Sequence, residues 1–504
     1  MKVVFVRFPV ALWPYHPSVY PLSLFYLTAA LQEYKNCEVK IIDCQLKKIG
    51  WKTLEKELAQ EKPDVVCISI NSATIAQEGG RLALLTKKIN PQAIIIAGGV
   101  HVSATAEESL NNYAFDIIVC GEGEITICEL IRELDNSSPR LEKVQGIAFK
   151  KGTRIIQTEP RPLIENLDDL PDLSKTYASM NLRAYKKDVQ YGDATIQASR
   201  GCSQKCTFCA CWPHFSERTL SQKSLNEIIP RLRFRSVKSV LKEMQALYYQ
   251  HHKRHFFFID DCFNTYPQWQ EELAEAIIES KMKIRFTALM RIDFIKRDYS
   301  NGVFDKLAKA GLCLVICGIE RANDEELNCF GRNMHISDIK SGFEILHKYP
   351  QIIKLAVSIV GMKHDTLNSI RKLGKFIIQE LRPDFCSFQA LTPLPGTLLW
   401  EGIQDKYPQE HFDFSKFHWS NAVLPTDSLS KEQVRAEITK LQIIQATQWR
   451  RILKMLIGRY SYQRKFYRYI YWGSFRVAWY LIKSNRNLIS EHYYDIMKPA
   501  WYEK

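Results

Sequence analysis

No stretch of the 504-residue chain reaches eighteen apolar residues without a charge, so no membrane-spanning helix is expected. A secretion signal is not expected either. Met1–Val10 has the pattern of a buried strand, and Pro14, Pro17 and Pro21 interrupt what would be the apolar core. The fourteen cysteines are too dilute for a disulfide scaffold, and those that cluster suit a reducing cytoplasm. No Gly-x-Gly-x-x-Gly follows the first apolar run, which argues against a conventional nicotinamide site. Acidic residues fall short of basic ones, 55 against 69, for a formal charge of +14. That balance favours anionic partners: a phosphorylated small molecule, an acidic peptide, RNA or a membrane face. The remaining composition, 46% hydrophobic and 25% charged, is globular, and the length accommodates two or three domains.

The first 165 residues alternate short apolar runs with helical patterns. Strands are expected at Val3–Val6, Val39–Ile42, Val65–Ser69, Ala93–Ala97 and Ile117–Val119. Helices are expected near 22–33, 53–60, 77–88, 104–111 and 124–135. Apolar strands with helices between them predict a doubly wound parallel sheet. Ligands in such sheets bind beyond the carboxyl ends of the strands. Ser69, Asn71 and Ser72 stand there after the third strand, Gly98, Gly99 and His101 after the fourth, and Gly121, Glu122, Gly123 and Glu124 after the fifth. Val144–Phe149 and Thr153–Gln157, around Gly152, read as a hairpin closing the region. Residues 166–192 read as a connector, either an ordered crossing loop or a plain linker.

Residues 193–400 repeat the strand–helix alternation. Strands are expected at Thr195–Ser199, His255–Ile259, Ile284–Leu289, Leu312–Gly318, Ile353–Ile359 and Phe385–Ala390, and helical patterns include 224–245 and 366–379. Six such units fit a partial (β/α)6 barrel of the TIM type, whose chemistry sits at the C-terminal strand ends. Cys202, Cys206 and Cys209 follow the first of these strands at spacings x3 and x2. Three thiolates suit an iron–sulfur cluster with one iron left open. Zinc, with Cys211 or His214 as a fourth ligand, is the less favoured reading of the same spacing. Cys211 itself reads as a core thiol, a redox partner or a ligand. Arg321 and Lys363 either add positive charge at the barrel mouth or face solvent.

The Cys-x3-Cys-x2-Cys loop, with Phe208 before its last cysteine, resembles the signature of the radical SAM superfamily. The Asp260-Asp261 pair, Gly318-Ile319-Glu320 and Pro395-Gly396-Thr397 are similar to that family's later strand ends. The resemblance implies that the three cysteines hold a [4Fe–4S] cluster. It also implies that Phe208, Gly318, Glu320, Asp260 and Pro395 contact S-adenosylmethionine. Residues 1–165 look like the cobalamin-binding, Rossmann-like domain fused ahead of many such enzymes. The implied cobalamin contacts are Ser69, Asn71, Gly98, Gly99, His101, Gly121, Glu122 and Gly123. No Asp-x-His-x-x-Gly occurs, so cobalamin would be bound without a histidine from that motif.

Together these resemblances imply a cytoplasmic, cobalamin-dependent radical SAM C-methyltransferase acting through a 5′-deoxyadenosyl radical. A radical SAM cyclase or other C–C-forming enzyme is the alternative, followed by a basic RNA-binding or scaffold protein with a structural metal. The implied partners are a small-molecule or peptide substrate, of anionic character if Arg321 and Lys363 face it, and an electron donor such as flavodoxin or ferredoxin. Nucleic acid is not expected. Residues 401–504 read as mainly helical, with one long helix over 429–456 begun at Asp427-Ser428 or Ser430. The tail beyond it interleaves aromatics with Arg and Lys, including Tyr462, Phe466, Tyr467, Trp472, Phe475, Trp479 and Tyr480. That pattern suits helices packing an aromatic face on the barrel, or an RNA or membrane surface.

Overall fold

The computed structural model describes residues 1–10, 20–32, 34, 37–185, 192–222, 224–404, 413–484 and 501–504, with the backbone alone over 473–484. Pro14, Pro17 and the side chains of Phe475, Trp479 and Tyr480 lie outside the described residues. The first sheet contains β1 (Lys2–Arg7), β2 (Glu38–Asp43), β3 (Val65–Ser69), β4 (Ile94–Gly98), β5 (Ile117–Val119), β6 (Ile147–Lys151) and β7 (Arg154–Gln157). Their spatial order is β2-β1-β3-β4-β5-β6-β7. The order reverses around β1, which leaves a crevice beyond the carboxyl ends of β1 and β3. The five strands of the alternating segment run parallel, but β6 pairs antiparallel to β5 and β7 to β6. The expected parallel sheet is therefore a mixed one. Gly152, at φ 64°, makes a turn too short for a crossover, and the hairpin covers what would be an open strand edge at β5.

The second sheet is parallel throughout. It contains β8 (Ala194–Ile196), β11 (His255–Phe258), β12 (Arg285–Leu289), β13 (Leu312–Glu320), β14 (Ile353–Val360) and β15 (Phe385–Ala390), each beside the next. Between β8 and β11 the chain makes an antiparallel ribbon of β9 (Ser199–Gly201) and β10 (Leu232–Phe234). The expected helix over 224–245 is thus confined to Val237–Tyr249. Pro230 removes a donor and disfavours helix before it, and Ser236 starts the helix by accepting from the Ser239 N–H.

The connector is pinned on both sides. Tyr185 donates to Asp43 at the end of β2 (2.7 Å), and Asp168 accepts from the Ser236 N–H (2.9 Å).

The C-terminal region is helical over Lys431–Ala446, Trp449–Ile457 and Ser461–Ser484. Ser430 caps the first, with Gln433 reciprocating. The single helix expected over 429–456 breaks at Thr447-Gln448 for a tertiary reason. The Gln445 side chain pairs with the Cys386 backbone of β15, and Arg451 folds back to donate to the Gln445 carbonyl (2.7 Å). Phe466 and Tyr467 are buried against Cys313, Leu314, Ile353 and Leu355, so the aromatics of that segment pack on the second sheet.

Candidate active site

Cys202, Cys206 and Cys209 lie in the loop leaving β9. The loop is held by backbone bonds to two distant segments. Thr207 N–H donates to the Phe330 carbonyl (3.0 Å), and the Thr207 carbonyl accepts from Leu399 N–H (2.8 Å). Trp212, fully buried, donates its indole N–H to the Cys206 carbonyl (3.1 Å). Cys202 and Cys209 pack with Trp212, Leu225, Ile228 and Leu398, an apolar shell that raises the Cys202 thiol pKa through burial. Cys209 is pulled the other way by hydrogen bonds from the Cys211 thiol, opposed by burial, and from the backbone N–H groups of Cys211 and Trp212. Among the described residues, no three His, Cys, Asp or Glu side chains converge on a single-ion site. A tetrahedral zinc ion needs four donors within about 2.3 Å, whereas a four-iron cluster takes each thiolate on a separate iron and needs wider spacing. Three thiols held on one loop in an apolar shell are the donor set of such a cluster with one iron open, and in that chemistry they fit it.

Arg332 joins this loop to β13. Its Nη1 lies 3.9 Å from the Cys206 sulfur and 3.6 Å from Glu320 Oε1, and Nη2 donates to the Gly318 carbonyl (2.9 Å). Glu320 is buried, and burial raises its pKa against the pull of Arg332 and Arg291. Its backbone is left-handed at φ 59°, and the register with β14 shifts between Gly318 and Glu320. Such strain in a non-glycine residue costs about 1–3 kcal/mol and marks functional sites. A Cβ on Gly318 would sit 2.2 Å from Glu320 Oε1, so the glycine makes room for the carboxylate. Arg332 Nε and Arg291 Nη1 are buried without a hydrogen-bond partner. Arg291 is already paired with Asp293 (2.7 Å), so a small zwitterion fits by placing its carboxylate on the two open guanidinium nitrogens and its ammonium on Glu320. Phe208 packs edge-on to Phe330, two residues from Arg332 (5.0 Å).

Asp260 is engaged within the protein. Its oxygens accept from Ser199 Oγ (2.5 Å) and the Ala198 N–H (3.4 Å), so it braces the strand leading to Cys202. The neighbouring Asp261, raised to about 7 by burial and by Cys209, faces the Cys209–Cys211 pair.

Across from this loop stand the strand ends of the first sheet. A cleft of about 80 Å³ opens between Val100, Ser103 and Gly121 on one side and Ala210, His214, Arg218 and Pro395 on the other. Gly121 is at φ 81° with open space where a Cβ would project, and its N–H donates to Ser103 Oγ (3.2 Å). Gly99, at φ 111°, approaches so closely that a Cβ would meet Asn71 Oδ1 at 2.5 Å. Asn71 in turn donates to Ser69 Oγ (3.2 Å). Gly98 ends β4 against β5, and Gly123 opens the following helix beside Leu27. Of these four glycines Gly121 alone faces open space, while Gly98, Gly99 and Gly123 pack against neighbouring atoms, so it is at Gly121 that a planar ligand such as cobalamin has room.

Two candidates on this side are engaged within the protein. Glu122 lines the cleft but commits its carboxylate to Arg200 (2.9 Å), Arg233 (3.0 and 3.1 Å) and the Ile164 N–H (2.8 Å). Burial opposes that charge, yet the two guanidinium groups outweigh it and hold the carboxyl below its usual range. His101 is neither a solvent-facing loop residue nor a cleft residue. It is buried edge-on to Phe414 (5.2 Å), and burial lowers its pKa to about 4.

Arg321 is likewise corrected. It is fully buried, paired with Asp365 (2.5 Å) and Glu326 (2.7 Å), while Lys363 is exposed. Arg200, Arg233, Arg291, Arg332 and Arg218 are the residues that sequence reading missed. The arginine immediately before Gly201-Cys202 was the one available signal.

Residues 14–131 match the B12 binding domain family, and residues 196–377 match the Radical SAM superfamily. The chain is a radical SAM enzyme with a B12-binding domain. It is 26% identical to an uncharacterized methyltransferase of Pyrococcus horikoshii, over 84% of this chain and 87% of the relative. It is 24% identical to the anaerobic magnesium-protoporphyrin IX monomethyl ester cyclase of Synechocystis, over 94% and 88%. Among solved structures, the enzyme shares its fold with the radical S-adenosylmethionine methyltransferase TsrM of Kitasatospora setae, solved with cobalamin and a [4Fe–4S] cluster. That match has a TM-score of 0.64 at 18% identity and covers 80% of this chain and 78% of the other.

Proposed function

We propose that this enzyme is a cobalamin-dependent radical SAM methyltransferase that methylates an unactivated carbon. The observation that carries the reading is convergence. The cleft at Gly121 reaches Ala210, the residue after Cys209, and Arg332 of the Glu320–Arg332 pair lies 3.9 Å from the Cys206 sulfur. In this reading residues 1–165 hold cobalamin, 193–400 form a partial (β/α)6 barrel, and 401–504 pack against it. When bound, the cluster and S-adenosylmethionine supply a 5′-deoxyadenosyl radical for hydrogen abstraction, and cobalamin supplies the methyl group.

The chain's own residues position and seal. Cys202, Cys206 and Cys209 hold the cluster inside the Trp212 shell, which keeps water from it. Glu320 accepts from the ammonium of S-adenosylmethionine, and Arg332 and Arg291 take its carboxylate on their unpartnered nitrogens. Gly121 leaves cobalamin room to approach, and Gly99 lets Asn71 stand close at the neighbouring strand end with Ser69. Arg218 lines the cleft with no carboxylate bonded to it among the described residues, so it meets an anionic group of a small-molecule or peptide substrate. Electrons come from a flavodoxin or ferredoxin in a reducing cytoplasm. The match to the magnesium-protoporphyrin ester cyclase, the longest stretch of this chain covered by either relative, favours a C–C-forming cyclase as the second reading.

Anaerobic reconstitution tests both. The enzyme is expected to bind about four irons per chain, retain added cobalamin through gel filtration, and form 5′-deoxyadenosine from S-adenosylmethionine. Stoichiometric zinc without iron would overturn the radical reading. A cluster without cobalamin retention would move the assignment to the cyclase.

A further inference from the structure

The helix Trp449–Ile457 is inside out. Apolar residues recur at Trp449, Ile452, Leu453, Leu456 and Ile457, the spacing of a single helical stripe. In a helix packed on a globular core that stripe faces inward. Here all five side chains are 37–77% exposed, and the one buried residue of the helix is Arg451. The reversal is enforced by the partners beneath. Arg451 donates to the Pro383 carbonyl (3.1 Å), and Lys454 pairs with Asp384 (2.5 Å), just ahead of β15. Two more aliphatic residues, Ile443 and Ile444, are exposed on the preceding helix.

Charge is as one-sided as the apolar pattern. From Ile438 to Trp472 the chain has eight Lys or Arg residues and no Asp or Glu. Arg450, Arg459, Lys465 and Arg468 are exposed around the stripe. Monomeric proteins seldom leave a contiguous apolar patch uncovered without a partner for it. An apolar helical face with a tryptophan, rimmed by cations and free of acids, has the composition of a helix lying in a lipid headgroup layer. Among the described residues no helix is long and apolar enough to cross a membrane, which agrees with a surface contact. Four of the five stripe residues are aliphatic, whereas RNA surfaces need aromatic planes on which bases stack.

We propose that this face docks the enzyme on an anionic membrane surface. The contact is remote from the chemistry. The C-terminal helices meet the second sheet at the N-terminal ends of its strands, through Asp384 ahead of β15 and through Tyr462, which donates to the Gln351 carbonyl ahead of β14. The cysteine loop lies at the opposite ends. The docked enzyme therefore holds its cleft away from the lipid, and attachment sets where it works without feeding substrate from the bilayer.

Sedimentation of the full chain with vesicles tests this. Binding to phosphatidylcholine vesicles containing about one-quarter phosphatidylglycerol is expected to exceed binding to phosphatidylcholine alone by about tenfold or more, and to weaken with salt. Leu456→Asp with Ile457→Asp, both on exposed positions, should abolish it. Arg450→Glu with Arg459→Glu should reduce it toward the zwitterionic level, a change that loss of folding, read separately by circular dichroism, would not mimic. Absence of vesicle binding overturns the proposal. So does polyuridylate binding in place of lipid binding, or a dimer in light scattering that Leu456→Asp dissociates. Because the assay needs no cluster or cobalamin, its failure is distinct from failure of the enzymatic assignment.

Discussion

Replacing Glu122 with Gln breaks the ion network that joins the end of the first sheet to the β9–β10 ribbon. The carboxylate, 3% exposed, accepts from Arg200, Arg233 and the Ile164 N–H. The amide oxygen of Gln can keep one of those donors and loses the charge. Hydrogen bonds to charged groups contribute about 1.5–3 kcal/mol each, and removing one partner from a buried ion pair costs about 3–5 kcal/mol. Because Glu124 still faces Arg200 at 2.5 Å, the expected loss is at the lower end, about 3 kcal/mol. With a urea slope near 3 kcal/mol/M, the unfolding midpoint moves down by about 1 M.

The pH dependence has a definite sign. The folded carboxyl titrates below its unfolded value, so its contribution is present above an unfolded pKa of about 4.3 and is lost as pH falls through the folded value. The gap between wild type and Glu122→Gln should therefore be full at pH 7 and close below about pH 4. Urea unfolding at both pH values, with Arg233→Gln and the double variant, completes a cycle. A midpoint within about 0.2 M of wild type, or strict additivity in the double variant, would refute the reasoning.

Three further outcomes are expected. Gly318→Ala drives a methyl into Glu320 Oε1. It should lower 5′-deoxyadenosine formation by about tenfold or more while iron per chain, measured on the same sample, stays unchanged. Cys211→Ser should retain the cluster absorption that Cys209→Ser loses, because Cys211 supports Cys209 from outside the expected ligand set. Phe414→Ala uncovers His101, whose pKa of about 4 should climb toward about 6.5 in a proton-resonance titration. Between those values the unfolded chain binds the proton more readily, so wild-type stability rises with pH across that window. The variant should show a shallower slope there.

What the sequence made legible was local. Helix 336–347 and strand 385–390 fall where their periodicity places them, and the cysteine loop announces itself by spacing. Errors came where distant segments decide. Pro230 gave a local warning of the β10 ribbon, but the ribbon's partner lies thirty residues earlier, across from Arg200. The break at Thr447-Gln448 has no proline or glycine, because it is dictated by Cys386. Arg321 reads as a surface charge until Asp365 folds beneath it. Arg332 is invisible as a site residue for the same reason. It owes its position to the short loop between the helices Asp324–Cys329 and Ile336–His347, which brings it back onto Glu320. The hairpin 147–157 was visible, but the edge it covers was not.

The Glu122 network also imposes an order in time. Glu122 and Glu124 belong to the first sheet, and Arg233 lies 111 residues further along the chain. At about 5–20 residues per second of synthesis, that cation emerges about 6–22 s after its acid. Until then the first sheet displays two solvated carboxylates where the cleft will be. The cleft is consequently a late feature of the nascent protein, closed only when the second half arrives with its arginines, and the cysteine loop is drawn into place by the same event.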